Sequence, residues 1–499
     1  MQQLNYKRIV IIVILISTFL RIYLGNSLEF GNDEVYYWLY AKYPDISHFD
    51  HPPMVGLFIQ FFTLDLFFDT EVTIRLAAII PISLSMYVLF LIGKYLKDEK
   101  VGLVSVLLYN IHIYGFVIAG TFILPDAPLV FFWLLSFYFF IQVLPKEPDR
   151  KLYPKLLLAF LFSGLAIYSK YQAIYLVFGV SLFIVVKNKQ WLKKSVFYLG
   201  FIFPILAISM IFYWNYLNDF ISYKFHGGRV SFFGFRFNKI SFLREILGQF
   251  VYNNPYIIVV FVLMLIALKK KRFQLTSKTT FIFLSCSLPL ILTTIYLSIS
   301  RNTLPHWSGI SYLTLLPLLA VFLSEKKRII KKLTIGMLSF FILLIFVSVM
   351  INTGFLLPEN TSKTKERLGR KDAILDMYGW EQASEKISEI FLKHNLTDLP
   401  IITNRWYPAA HIDYYIARPN KMKVYGVGTL KDIHKYYWIN KQYPALENRV
   451  LYITDSRNFK NPYKLYSKEY SKIEMLETVP IIRGNHIVKY IFLYELTKD

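Results

Sequence analysis

Arg8–Gly25, RIVIIVILISTFLRIYLG, is followed shortly by Gly31–Trp38, GNDEVYYW, and then by Phe49-Asp50-His51-Pro52-Pro53. A helix crosses the hydrocarbon of a bilayer with about 20 apolar residues, and the first stretch is close to that length. Just beyond it stand Asp33 and Glu34. Adjacent carboxylates at a membrane boundary are costly unless something solvates or uses them. No small-residue cleavage pattern closes residues 9–24, so the stretch reads as a span and not as a removable signal.

Working outward, the chain of 499 residues is 55% hydrophobic and 18% aromatic, with a mean hydropathy of +0.41. That is the composition of an integral membrane protein. Apolar runs recur at 8–25, 72–93, 101–119, 127–144, 152–168, 171–186, 195–214, 255–268, 279–299, 307–323 and 333–351. The expectation is a mostly α, polytopic membrane protein of about eleven transmembrane helices over residues 1–351. Ser169-Lys170 alone separates 152–168 from 171–186.

Residues 352–499 have fewer long apolar runs and mixed charge. Ala383, Ile387, Ile390 and Phe391 after Gly379-Trp380 have helical spacing. Short strands are expected at 400–403, 422–426 and 450–453, which makes this tail a small α/β domain.

The formal charge of +23 reads as topology. With a cytoplasmic N-terminus, the inner loops carry Lys7, Arg8, Lys94, Lys97, Lys100, and the basic clusters at 146–155, 187–194, 269–278 and 326–332. The outer loops are nearly balanced, as the positive-inside rule predicts. The partner of this charge is the anionic inner leaflet, and nucleic acid is set aside. The single cysteine, Cys286, lies in an apolar run, which excludes an internal disulfide and a thiolate metal cluster. No glycine-rich phosphate loop occurs, which argues against an ATP-driven pump.

On this topology five polar segments and the tail share one face. A carboxylate there can serve as a general base toward an acceptor hydroxyl. Asp33 and Glu34 are the first candidates; the alternative is a pair of solvated loop charges. Asp126 sits in Leu124-Pro125-Asp126-Ala127-Pro128, a turn that proline stiffens. It is either part of an active site or the cap of the helix beginning near Ala127. Asp50 and His51 precede an amphipathic segment, 54–68, suited to the membrane interface.

Among the cations of that face, Lys170 is wedged between two apolar runs. An interfacial phosphate would give it a partner, and snorkelling to lipid headgroups is the alternative. Gly227-Gly228-Arg229 could offer amides and a guanidinium to a phosphate. His306-Trp307 opens a span, as a donor contact or as part of an aromatic belt. Tyr36 and Tyr37 could stack on a sugar ring.

Taken in order, Asp33–Trp38, Phe49–Pro53, Val72-Thr73-Ile74-Arg75-Leu76 and Leu124–Leu129 resemble the polyprenyl-phosphate-dependent glycosyltransferases of the GT-C superfamily. Lys170-Tyr171 and Pro305-His306-Trp307 add to the likeness. The closer resemblance is to glycosyltransferase family 39, the protein O-mannosyltransferases, in the bacterial branch that includes the lipid A aminoarabinose transferase. It covers roughly residues 8–325, and the tail resembles the extracytoplasmic domain of some members. The resemblance implies a multi-pass enzyme of the cell (inner) membrane, with its site and tail extracytoplasmic. Such an enzyme moves a sugar from a polyprenyl-phosphate donor to a lipid, glycan or protein acceptor with inversion. It implies Asp33 as base, with Glu34 and Asp126 as further acids. Lys170 is then a candidate for the donor phosphate, with Arg229 and His306 offered from position. The donor is a co-substrate; no cofactor or metal is implied. The competing reading is a secondary transporter or a flippase for polyprenyl-linked glycans. That would call for ionisable groups near mid-membrane and related halves.

Overall fold

The computed structural model describes residues 5–230, 237–273, 275–359 and 361–498, the side chains of 228–230 excepted. Two compact units emerge, one of residues 1–23 and 45–341, the other of 24–44 and 342–499. The break at 341/342 lies ten residues before the expected boundary at 351/352. Residues 24–44, with Asp33 and Glu34, group with the C-terminal part.

The first unit is helical. Its helices are α1 (Tyr6–Ser27), which runs into the second unit, then, after α2 (Asn32–Lys42) of that unit, α3 (Met54–Thr63), α4 (Glu71–Leu96), α5 (Glu99–Asn110), α6 (Asp126–Val143), α7 (Tyr153–Ile167) and α8 (Ile174–Lys187). There follow α9 (Ser195–Gly200), α10 (Ile202–Leu217), α11 (Ile221–Val230), α12 (Lys239–Asn253), α13 (Pro255–Lys269), α14 (Ser277–Ser298), α15 (Gly309–Ser324) and α16 (Ile329–Thr353), which from Ile342 on belongs to the second unit. Among the described residues, seven helices are long and apolar enough to cross a membrane. They become eight if α12 and α13, bent by 100° at Asn254, form one span.

The remaining expected spans, 101–119, 152–168 and 171–186, form shorter helices. Run 101–119 breaks after Asn110, where the Ile111 and His112 N–H groups turn back to Leu108 and Tyr109. Helix α15 is the most enclosed span, whereas α10 turns Ile205, Leu206 and Phe212 outward. Apolar side chains facing out are what a lipid-contacting surface requires.

At one end of this bundle the basic loops interlock. Lys97 pairs with Glu325 at 3.1 Å, Lys100 donates to the Ser324 carbonyl, and Lys278 donates to that of Pro145. The charge segregation along the sequence is therefore a segregation between helix ends. Helix α3 is the expected amphipathic segment, with Phe61, Leu64 and Phe67 exposed at and beyond its end.

The second unit holds a five-stranded sheet of order β2-β1-β3-β5-β4. Strands β1 (Ile401–Thr403), β2 (Val424–Gly426) and β3 (Arg449–Asp455) are the three expected ones and run parallel. The antiparallel hairpin β4 (Lys472–Arg483) and β5 (His486–Thr497) completes it, turning at Gly484 with φ 59°. Helix α17 (Trp380–His394) buries Trp380, Ala383, Ile387 and Phe391, as its spacing predicts. Residues 24–44 belong to this unit for a physical reason. The half-buried Glu29 carboxylate accepts the N–H groups of Trp380 and Glu381 at 2.7 and 3.2 Å. It thus supplies the anion that the start of α17 favours.

Candidate active site

The first unit gathers several of the expected residues at the helix ends opposite the basic loops. Pro125 begins α6 without a side-chain cap, and Asp126 in its first turn is buried. Its carboxylate does not cap the helix; it points to two other elements. Lys170 Nζ lies 2.7 Å from Asp126 Oδ2, and Tyr114 Oη donates to Oδ1 at 2.8 Å. Lys170 occupies the extended break between α7 and α8, where its own N–H returns to the Ala166 carbonyl. Both side chains of the pair are only 4% exposed. Such a pair holds in place because each charge satisfies the other, and it is weak as a source of net stability.

Tyr114 was not anticipated, because run 101–119 reads as one uninterrupted span. The signal was Asn110 and His112 inside that run. Asn110 closes α5, and the His112 imidazole accepts the Gly115 N–H at 3.1 Å, starting a π turn over Tyr114–Ile118. The turn aims Tyr114 at Asp126. Gly309, at the start of α15, leaves room for the ring: a Cβ there would stand 2.3 Å from Tyr114 Cγ. Gly309→Ala should therefore push the Tyr114 ring aside and destabilise the unit by about 1–3 kcal/mol, the usual range for overpacking. Thermal unfolding of the detergent-solubilised protein, compared with Tyr114→Phe, checks this.

His51 and His306 border the pair. His51 lies with its ring centroid 6.5 Å from Tyr171 and 6.3 Å from His226, and His226 Nε2 is 2.9 Å from the Asp50 carbonyl oxygen. Burial, reinforced by the Lys170 cation, pushes the His51 imidazole down to about 3. It is therefore neutral across the physiological range and can exchange hydrogen bonds without adding charge. His306 sits on a short turn, Pro305–Ser308, that precedes α15. That turn is fixed by a second unanticipated residue, Glu245 of α12, which is buried. Glu245 accepts from Gln249 and from Thr303, each at 2.6 Å, and Gln249 also bonds Ser308 at 2.9 Å.

The other expected residues belong to other elements. Asp33, Glu34, Tyr36 and Tyr37 are on α2 in the second unit. Asp33 is exposed in its first turn. Glu34 is buried, and its Oε2 accepts the Gly31 N–H at 3.0 Å, so it serves the helix start. Tyr36 and Tyr37 are buried in aromatic packing, Tyr36 edge-on to Trp406 at 4.8 Å. Arg229 belongs to α11, but its side chain lies outside the described residues. Among the described residues, no group of three His, Cys, Asp or Glu is placed to hold a metal ion.

This arrangement offers a buried cation with a fixed counter-charge, two imidazoles and two phenols around it. Such a set suits an anionic leaving group better than an apolar cargo. Residues 50–214, which contain Asp50, His51, Asp126 and Lys170, match the family model described as dolichyl-phosphate-mannose-protein mannosyltransferase. No curated protein sequence matches the chain significantly. Among solved structures, the chain is similar to the crystal structure of ArnT from Cupriavidus metallidurans bound to undecaprenyl phosphate. The TM-score is 0.64 at 13% identity, over 97% of each chain. The apo structure of the same protein gives a TM-score of 0.62 at 11% identity, over 98% of each chain. At such identities the likeness is one of fold, and it extends over both units. The chain is therefore a membrane protein with an ArnT-like fold, whose residues 50–214 match the dolichyl-phosphate-mannose-protein mannosyltransferase model.

Proposed function

We propose that this protein transfers a sugar from a polyprenyl-phosphate donor to an extracytoplasmic lipid, glycan or protein acceptor, with inversion at the anomeric carbon. The observation that carries this reading is the buried Asp126–Lys170 pair, 2.7 Å across, set among His51, His306 and Tyr114 at one end of the bundle. The fold shared with a protein crystallised with undecaprenyl phosphate supports the choice of donor.

In this reading the acceptor oxygen bonds to the anomeric carbon as the bond from that carbon to the phosphate oxygen breaks. The acceptor proton passes to the Asp33 carboxylate, which is the base. The electron pair leaves with the polyprenyl phosphate, whose charge Lys170 offsets with donors not engaged by Asp126. His306 and Arg229 are further candidates for that phosphate, and Asp50 and His51 for the sugar or acceptor. No cofactor enters the step, and the donor's own phosphate bond supplies the driving force.

The test is turnover of the carrier. Purified protein in lipid vesicles, given a radiolabelled polyprenyl-phosphate sugar and an envelope extract, is expected to move label to an acceptor and release polyprenyl phosphate. Movement of intact donor across the vesicle membrane without bond cleavage would instead support transport and overturn the reading.

A further inference from the structure

A second polar site is built into the sheet unit, independently of the sugar-transfer reading. Strands β1 and β3 are parallel neighbours. From β1 the chain continues to β2 on one flank of the sheet, and from β3 to β4 and β5 on the other. Loops that diverge in this way leave a crevice at the carboxyl ends of the strands, where open α/β sheets bind ligands. A cavity of about 190 Å³ lies there, lined by Arg405 after β1, by Ser456–Lys460 after β3, and by Glu366 and Arg370.

The crevice walls are tied together. Tyr407 Oη lies 2.5 Å from Asn458 Oδ1, and Tyr452 Oη is 3.2 Å from Asn404 Oδ1 and 3.1 Å from the Lys460 carbonyl oxygen. Four cations face one acid across this lining. Arg457 pairs with Asp376 through one terminal nitrogen, while its buried Nε has no partner among the described residues. Arg405 bonds the Tyr407 hydroxyl at 3.0 Å and, among the described residues, no carboxylate. Arg370 and Lys460 likewise make no ion pair among the described residues. Guanidinium groups match the oxygens of phosphate in a fork geometry.

We propose that this crevice binds a phosphate group, carried by a saccharide or free in solution. The cavity is smaller than the roughly 300 Å³ at which pockets for drug-sized ligands begin, so it would enclose the phosphate and at most one sugar ring.

Calorimetric titration of the full-length protein in detergent tests this with inorganic phosphate, glucose 1-phosphate and glucose. Saturable binding of the two phosphates but not of glucose is expected. Arg405→Gln and the exposed pair Arg370→Gln/Lys460→Gln should each weaken it about tenfold, or about 1.4 kcal/mol. Tighter binding of glucose 1-phosphate than of phosphate would assign the site to a phosphorylated saccharide. Equal binding would assign it to free phosphate. Absence of saturable binding by either phosphate, or unchanged affinity in the Arg370→Gln/Lys460→Gln protein, would overturn the proposal.

Discussion

Asp33→Asn is expected to lower sugar transfer by about 10²- to 10⁴-fold, the usual contribution of a general base, with the donor KM nearly unchanged. The amide is isosteric but cannot take the acceptor proton at neutral pH. Folding should survive, because Asp33 is an exposed residue of the first turn of α2 and the change costs roughly 0.3–1 kcal/mol of helix-terminus electrostatics. Glu34→Gln is the control. It keeps an acceptor for the Gly31 N–H, so it preserves the helix start while removing the neighbouring charge. Steady-state transfer measured at saturating donor decides between the two acids. Wild-type rates from Asp33→Asn would take Asp33 out of the chemistry and leave it as a charge of the first turn of α2.

Lys170→Met should have the largest effect on stability. It leaves the Asp126 carboxylate buried with the Tyr114 hydroxyl as its only close donor among the described residues. Removing one member of a buried pair typically costs about 3–5 kcal/mol, because the survivor has lost its counter-charge. The double variant Asp126→Asn/Lys170→Met has no buried charge to compensate and should recover most of that loss. Thermal unfolding of the four proteins completes a double-mutant cycle. Strict additivity would show that the pair is not coupled. Where the variants fold, a raised donor KM in both single variants would separate the phosphate role from the structural one.

Much of this molecule follows from local pattern. Apolar length is a one-dimensional property, so most spans, the basic loops and the polar tail could be read along the chain. The same holds for α17, whose apolar positions repeat at helical spacing, and for β1, β2 and β3, which are short apolar runs. Lys170 could be singled out because a lysine between two apolar runs is costly wherever the chain folds. Asp126 could be singled out by the prolines around it.

What the pattern could not settle is where each polar group finds its partner. Asp126 could equally have capped α6; packing of α6 against α7 turned it to Lys170 instead. Tyr114 reaches the same carboxylate because Asn110 and His112 interrupt a run that by hydropathy alone is one helix, and because Gly309 leaves space on α15. Glu29 joins residues 24–44 to a sheet unit hundreds of positions away through two backbone N–H groups. Tyr36 and Tyr37, which invite a sugar when seen in isolation, spend their faces on neighbouring aromatics. Burial along a chain is set by composition, but hydrogen bonds are directional and reach only about 3 Å. The partners of these groups therefore come into existence when distant helices pack.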